Sequence, residues 1–415
     1  MFTRLITPPP AATAPAHERF LHLVRLALAG GQFGKLLLSG PVAVDGEEAD
    51  VERLTVRAIE LRGEPALTFL WRHRTKDITK NHSPEAGVAE IAALLGKDPV
   101  AGLRVFLIEP LANKRAIGEV LLKTVPLVLC ALGLSVCYRA NVWNIGAEGQ
   151  LIVGGIFAAA TIIAFDTPTP SIPGAFALVL AVIAGLVGGA LWAAIMALLR
   201  DRFHANEILV SLMLTYIAQL LLLYMVNGPL KDPNGMNFPQ SIVFDSAFVL
   251  PTLVAGTRLH IGFLFMLIMT AVMTLFVFRS FAGYRLQVGG LAPQAARYAG
   301  FSSRKALWTA LLISGGLAGI AGAFEVTGPI GQLLPSISPG YGFAAIVVAF
   351  VGRLNPVGTV LGAIVMSLFY IGGELAQSRL GLPSAITGVF QGMLLFFLLA
   401  CDTLIEYRLR WRAHH

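Results

Sequence analysis

Charged residues are scarce in this sequence. They make up 13% of the 415 residues, whereas an ordinary soluble domain has about 25%. Hydrophobic residues make up 56%. A chain with so little charge and so much apolar surface cannot be soluble along most of its length. These fractions therefore exclude a wholly soluble globular protein and predict one that crosses a membrane several times.

Cysteine is rarer still. The three cysteines are Cys130, Cys137 and Cys401, and each lies within an apolar run. Such a small number, placed in this way, supports neither a disulfide framework nor a metal cluster. We therefore expect the cysteines to act as small apolar residues that pack within the protein.

Charge of either sign is also distributed unevenly. Of the 31 Lys and Arg residues and the 24 Asp and Glu residues, 12 of each lie in the first 100 residues. The whole net charge of +7 therefore belongs to the apolar part of the chain. There it is typical of cytoplasmic loops between membrane spans, so it does not indicate a nucleic-acid partner.

The chain divides by character near residue 96. Residues 1–96 contain short alternating runs and a helical stretch that ends in glycine, which predicts a small α+β soluble domain. Residues 97–415 are predominantly apolar. The predicted fold class is an all-α polytopic membrane protein with about eight or nine membrane segments and this small N-terminal domain.

The apolar part contains stretches long enough to span a bilayer, which needs about 20 residues. They are residues 116–138, 144–165, 174–199, 206–226, 259–278, 306–326, 356–376 and 384–402, with a half-span at 343–351. Arginines at 200–205, 279–305 and 408–412 predict cytoplasmic loops and a cytoplasmic C-terminus. Counting backwards puts residues 1–115 outside, although the sequence opens with no apolar secretory signal.

Polar residues at the edges of the spans are candidates for a translocation path or gate. The stretch NVWNIGAEGQ (141–150) carries Asn144, Glu148 and Gln150 between two apolar runs, and their burial in a membrane must be offset. Glu148 follows Asn144 by four residues, which predicts a shared helix face. The alternative is a capped helix start that bonds to a neighbouring helix. Gln219 and Glu325 are further path candidates, with helix bridging or an interfacial position as their alternatives.

Several longer motifs carry a resemblance to a known family. They are NIGAEGQLIVGGIFAAA, HANEILVSLMLTYIA, GYRLQVGGLAPQAARYAGFSSRK and GYGFAAIVVAFVGRLNPVG. With these motifs, residues 97–405 resemble the permease subunits of bacterial ABC importers, in the branch that handles nucleosides and simple sugars. The resemblance implies a multi-pass protein of the inner membrane that is not itself an enzyme.

The same resemblance implies partners. They are separate ABC ATPase subunits, a second permease subunit, an extracytoplasmic substrate-binding lipoprotein and the membrane lipid, with no nucleic acid. The chain itself then binds no cofactor, because the ATPase subunits use the ATP. The matching loop implies a short helix that couples to the ATPase, formed by Pro293, Ala295, Ala296, Arg297, Tyr298 and Gly300.

The front of the chain resembles a different family. The stretches FGKLLLSGP and RHRTKDITKN resemble the leading part of bacterial SAM-dependent methyltransferases over about residues 18–95. No strand, glycine-rich turn and helix follow that could bind SAM. The alternatives to an importer subunit are therefore a methyltransferase-related protein or a non-functional fusion. An ion-driven transporter would require carboxylates in the middle of spans, and the sequence has almost none there.

Overall fold

A computed structural model of the chain describes residues 104–166 and 172–381 without a break, and also residues 43–44, 47–48, 388–389 and 392. The chain divides into two units, Met1–Gly87 and Val88–His415. In the first unit, strands β1 (Ala43–Val44) and β2 (Glu47–Glu48) pair in antiparallel fashion. The rest of the predicted α+β domain lies outside the described residues, and so does the predicted span at 384–402 except for residues 388–389 and 392.

The described part of the second unit is mainly helical, with longer connections at residues 228–261 and 331–340. Its helices are α1 (Lys114–Arg139), α2 (Ala147–Phe165), α3 (Gly174–Phe203), α4 (Glu207–Asn227), α5 (Gly262–Arg279), α6 (Phe281–Leu291), α7 (Pro293–Tyr298), α8 (Ser303–Glu325), α9 (Tyr341–Val351) and α10 (Pro356–Leu380). Seven of the described helices, namely α1 to α5, α8 and α10, are long and apolar enough to cross a membrane. The predicted all-α polytopic fold is confirmed, with most span boundaries displaced by a few residues.

Helix boundaries follow from local chemistry. At the start of α4, the side-chain oxygen of Asn206 accepts hydrogen bonds from the backbone N–H groups of the first turn. At the start of α10, Asn355 caps the helix and Pro356 fills its first position, where no N–H is needed. Helix α10 ends at Gly381, whose φ of +67° is the left-handed conformation that favours glycine.

Helix α8 lies against both α2 and α3 at backbone contact distance, and glycines make this contact possible. A Cβ atom on Gly319 would lie 2.1 Å from the carbonyl oxygen of Gly185 in α3. A Cβ on Gly322 would lie 2.0 Å from the carbonyl oxygen of Leu151 in α2, and one on Gly154 would lie 2.3 Å from the Cα of Gly319. Larger residues cannot occupy these positions without separating the helices.

The bundle has a buried centre and broad exposed apolar faces. Helix α1 is buried along residues 124–137, and α8 is buried along residues 314–324. By contrast, α3, α4 and α5 each expose large apolar side chains along one face, among them Leu191, Leu220 and Ile268. In a membrane protein such faces contact lipid or another membrane subunit.

We expect Gly319→Ala to destabilise the bundle, because its methyl group would displace the α3 backbone. The matched control is Gly289→Ala in α6, where an added Cβ meets nothing within 4 Å. Overpacking at Gly319 should cost about 1–3 kcal/mol, while Gly289→Ala should be neutral or stabilise by up to about 1 kcal/mol. Thermal unfolding of the purified variants in detergent measures the difference, and equal midpoints would contradict the proposed contact.

Candidate functional site

Asn144 is the centre of a buried polar network at the start of α2. Its side chain is completely buried, and Nδ2 donates to Gln150 Oε1 at 3.2 Å and to Ser314 Oγ at 3.0 Å. Its Oδ1 accepts from the backbone N–H of Gly146 at 2.9 Å and from Gln150 Nε2 at 3.3 Å. This network joins the start of α2 to α8 and satisfies both polar atoms of the amide, as burial requires.

Two further helices hold the same segment. The hydroxyl of Tyr138, near the end of α1, donates to the carbonyl oxygen of Asn144 at 3.1 Å. Ser211 in α4 accepts from the backbone N–H of Ile145 at 3.4 Å. The few residues before α2 are therefore bonded to α1, α4 and α8, which fixes where and at what angle α2 enters the bundle.

Glu148 is buried and accepts a hydrogen bond from a helix terminus. Only 2% of its surface is exposed, and Oε2 accepts from the backbone N–H of Gly342, in the first turn of α9, at 2.6 Å. A carboxylate at a helix N-terminus is stabilised by the free N–H groups and by the helix dipole. Gly342 permits this approach, because a Cβ there would lie 2.2 Å from the backbone nitrogen of Glu148.

The predicted shared helix face of Asn144 and Glu148 is wrong. Helix α2 begins only at Ala147, so Asn144 precedes it and the spacing of four residues does not fall on helical backbone. Asn144 bonds towards α8, whereas Glu148 bonds towards α9. The polar groups of this motif are bonded internally, which agrees with the alternative of a helix start fixed to its neighbours.

The five predicted path residues do not form one group. Gln219 lies on the exposed face of α4. Glu325 ends α8, eleven residues beyond Ser314, which corresponds to about 16 Å along the helix axis. Only Asn144, Glu148 and Gln150 lie together.

A charged cluster that the sequence analysis missed lies around Lys123, within α1. Its ammonium group is 2.9 Å from Oε1 of Glu374 in α10 and donates to the hydroxyl of Tyr341 at 3.3 Å. It also lies 5.7 Å and 6.0 Å from the ring centroids of Tyr341 and Tyr370, within the range of cation–π attraction. The lysine inside the apolar run IGEVLLKTVPLVLC was the signal for this cluster.

The beginning of α9 connects these two polar groups. Tyr341 bonds to Lys123 through its side chain, and the next residue, Gly342, bonds to Glu148 through its backbone. Both residues are buried. Because these first residues are buried, α9 begins inside the bundle, where its N-terminus requires an acceptor.

The C-terminal end of α9 is connected to α6 through Arg139. Arg139, at the end of α1, donates from Nε to the carbonyl oxygen of Leu354, just after α9, at 3.0 Å. Its Nη1 donates to Gln287 Oε1 in α6, also at 3.0 Å. Contacts therefore run without interruption from the interior end of α9 to α6.

The loop before α5 adds a buried histidine and an ion pair. His260 has 2% of its surface exposed, its Nδ1 accepts from the backbone N–H of Gly262 at 3.0 Å, and burial lowers its pKa to about 4. Arg258 makes a two-pronged contact with Glu119 of α1, at 2.8 and 2.6 Å, and this hydrogen bonding raises the pKa of Arg258. In the described part of the chain, no group of His, Cys, Asp and Glu could hold a metal ion.

The predicted coupling segment forms two helices. Helix α6 was not predicted; Ser280 caps it by accepting from the N–H of Gly283 at 2.9 Å. The short helix expected at Pro293 follows as α7, with Pro293 in its first turn.

Helix α7 presents its polar side chains outward. Ala296 is buried against the protein, whereas Ala295 and Arg297 are exposed and Tyr298 is 97% exposed. Gly300 follows the helix with a φ of +77°, a conformation that favours glycine.

Comparison with known proteins identifies a family. Residues 116–399 match the family described as the permease component of the branched-chain amino acid transport system. The glucose ABC transporter permease protein of Haloferax volcanii is 34% identical, and the match covers 86% of this chain and 92% of that protein. The guanosine ABC transporter permease protein of Bacillus subtilis is 32% identical, with 68% of this chain and 80% of that protein covered.

A third relative extends the same pattern. The nucleoside ABC transporter permease protein NupB of Lactococcus lactis subsp. cremoris is 28% identical, with coverage of 77% of this chain and 89% of that protein. No solved structure matches the chain. The match to the Haloferax protein covers more of the chain than residues 97–415 could provide, so it extends into the first 96 residues.

We expect Glu148→Gln to be milder than Glu148→Leu. Glutamine keeps an acceptor oxygen for the N–H of Gly342, whereas leucine leaves that buried donor unsatisfied at a cost of about 1–3 kcal/mol. As a control, Gln219→Leu removes an exposed polar group on α4 and should change stability by no more than about 0.5 kcal/mol. Thermal unfolding in detergent provides the comparison, and indistinguishable Gln and Leu variants would argue against the bond.

The charged cluster should respond asymmetrically to neutralisation. The side chain of Lys123 is 16% exposed and that of Glu374 is 58% exposed. Glu374→Gln leaves a largely buried ammonium group without its counter-charge, whereas Lys123→Met leaves a carboxylate that water can reach. We therefore expect the Glu374 variant to be the less stable one, by about 1 kcal/mol or more. A lower unfolding midpoint for Lys123→Met than for Glu374→Gln would contradict this expectation.

Proposed function

Since the chain belongs to the family of permease components described for the branched-chain amino acid transport system, we propose that it forms the membrane path of an ATP-driven importer for a nucleoside or a simple sugar. The observation that carries this proposal is the match to permeases whose names specify glucose, guanosine and nucleosides. These compounds are neutral. Glucose is rich in hydroxyl groups, and nucleosides carry a sugar with hydroxyl groups. A path for them needs hydrogen-bonding groups rather than a fixed excess of one charge.

The charged cluster supplies such groups. Lys123, Glu374 and the hydroxyl of Tyr341 lie close together, and the carboxylate of Glu374 remains accessible. We propose that this cluster, with Glu325 nearby at the end of α8, lines the part of the path that receives the cargo. In this proposal, Asn144, Glu148 and Gln150 hold together the helices that form the path. Gln219, on the exposed face of α4, faces the partner subunit.

Helix α7 is the proposed contact with the ATPase. The proposal is supported by the exposure of Arg297 and Tyr298 and by the bonds that connect α6 to α1 and α9. A helix with one face packed on the permease and the other exposed can transmit movement of a docked subunit to the bundle. The ATPases, a second permease subunit and an extracytoplasmic binding lipoprotein are the proposed partners.

The proposed orientation puts α7 and the C-terminus in the cytoplasm. The segment 279–305 carries five Lys and Arg residues and no Asp or Glu. The only basic residues in the loop 228–261 are Lys231 and Arg258, and Arg258 is paired with Glu119. An excess of basic residues is typical of the cytoplasmic side, so the charged cluster faces outward in the cell membrane.

No observation favours methyl transfer. The methyltransferase-like fragment at about residues 18–95 remains a prediction from the sequence, and its residues lie almost entirely outside the described part. The match to the Haloferax permease extends into this region. This extension favours a front segment that belongs to the permease over a fusion of two proteins.

Uptake by cells or vesicles that contain the chain with its ATPase, partner permease and binding protein tests the proposal. We expect ATP-dependent accumulation of labelled nucleoside or glucose. Arg297→Ala/Tyr298→Ala should reduce uptake by about tenfold or more, with insertion unchanged, because it removes the exposed contacts of α7. Arg202→Ala, which removes another exposed arginine from the same end of the bundle, should transport normally. Uptake that persists without ATP, or an unaffected double variant, would contradict the respective part of the proposal.

A further inference from the structure

A basic cavity lies between α6, α7 and the start of α8. Its volume is about 330 Å³, enough for on the order of ten water molecules. Polar and charged side chains line it from three sides, namely Arg285, Arg297, Ser302, Ser303, Lys305 and Thr309. The remaining lining residues are apolar or glycine.

The positive charge of this cavity is not compensated. No Asp or Glu is among the residues that line it. Asp201, the acidic residue bonded to the start of α8, is occupied by Arg304 at 2.7 Å and by Trp308 at 3.2 Å. Within the described part of the chain, the side chains of Arg297 and Lys305 make no ion pair. The cavity therefore suits an anion.

The guanidinium of Arg285 is held in place. Its central carbon lies 5.7 Å from the ring centroid of Phe281 and 5.4 Å from that of Phe301. This double cation–π contact orients the planar group while leaving its N–H donors free for a ligand. The free N–H groups at the start of α8, beside Ser302 and Ser303, add to the positive potential. An oriented guanidinium, a mobile ammonium group and hydroxyl donors match the oxygen atoms of a phosphate ester.

The cavity also continues into an apolar surface. Lys305, Thr309 and Leu312 follow one face of α8 at helical spacing, and all three are exposed. Leu312 lies further along this candidate membrane span and has 37% of its surface exposed. On the other side of the cavity, α6 exposes Phe281 by 65% and Tyr284 by 55%. Aromatic residues of this kind are enriched at the membrane–water interface.

We propose that this cavity binds the phosphodiester headgroup of an anionic phospholipid. The headgroup lies between Arg285 and Lys305, and an acyl chain follows the face of α8 past Thr309 and Leu312. A free phosphate ester shares the headgroup chemistry, but the apolar surface above the cavity favours the lipid. Basic pockets between membrane helices on the cytoplasmic side are suited to such headgroups. The cavity shares Arg297 with the proposed ATPase contact, whereas Arg285 and Lys305 belong to the lipid site alone.

The test uses the purified, delipidated full chain in a neutral detergent. Phosphatidylglycerol should raise the thermal unfolding midpoint by about 3 °C or more, because a ligand that binds only the folded state stabilises it. Phosphatidylcholine and inorganic phosphate at equal ionic strength should raise it by less than about a third of that shift. If phosphatidylcholine raises the midpoint as much as phosphatidylglycerol does, the site is not specific for anionic lipid. If inorganic phosphate raises the midpoint as much as phosphatidylglycerol does, the ligand is a free phosphate group and not a lipid.

Two variants of the lining and one control variant locate the site. Arg285→Gln/Lys305→Gln should abolish the shift caused by phosphatidylglycerol, whereas Arg202→Gln/Arg279→Gln, which removes two exposed charges outside the lining, should retain it. Lys305→Gln alone changes an exposed side chain that has no hydrogen-bond or ion-pair partner among the described residues. It should weaken lipid binding at least threefold, as measured by titration with fluorescent phosphatidylglycerol. An unchanged shift in the double variant, or unchanged affinity in the single one, would overturn the assignment.

Discussion

The backbone contact of α8 with α2 and α3 is the constraint on which the rest of the bundle depends. Lipid tails are as apolar as the helix surfaces, so hydrophobicity alone does not bring membrane helices together, and close packing must do it. Glycines at 315, 319 and 322 follow one another at helical spacing and let three backbones meet. This contact brings Ser314, one residue before the first of these glycines, within 3.0 Å of Asn144. The close approach of the helices therefore brings Ser314 into the polar network at the start of α2.

Two costly features of the interior offset each other. Helix α9 is too short to cross a bilayer, so its N-terminus leaves N–H groups inside the bundle that need acceptors. Glu148 carries a carboxylate into the same interior, where an unpartnered charge is expensive. The bond from Gly342 to Glu148 satisfies both needs. The buried ammonium group of Lys123 is accommodated in a similar way, by Glu374 and by the ring and hydroxyl of Tyr341.

Hydropathy was enough to predict most of the described membrane helices. Length and apolarity place α1, α3, α4 and α10 within a few residues, because a span needs a continuous apolar run whatever its neighbours are. The residues Asn144, Glu148 and Gln150 were also recognisable, since polar groups in such runs must have partners. The partners themselves were not predictable: Glu148 meets Gly342 and Lys123 meets Tyr341 across about two hundred residues of sequence. The same holds for the start of α2, which tertiary bonds delay until Ala147. Helix α6 was missed because its two adjacent glycines, 289 and 290, weaken the helical pattern.

Helix α9 is bonded to other helices near both of its ends. Its interior end is held by Lys123 and Glu148, and the turn after its other end is held by Arg139, which also bonds to Gln287 of α6. Bonded contacts therefore connect α6 to the charged cluster through Arg139 and α9. Contacts alone establish a route, and coupling along it requires that α9 have two arrangements of similar energy. The start of α9 cannot be displaced at low cost, since Ser338 and Glu148 bond to its first N–H groups and Gly342 lies at backbone contact distance from α2. A change in the position of α9 therefore requires that these contacts and the bond from Lys123 to Tyr341 break and re-form together.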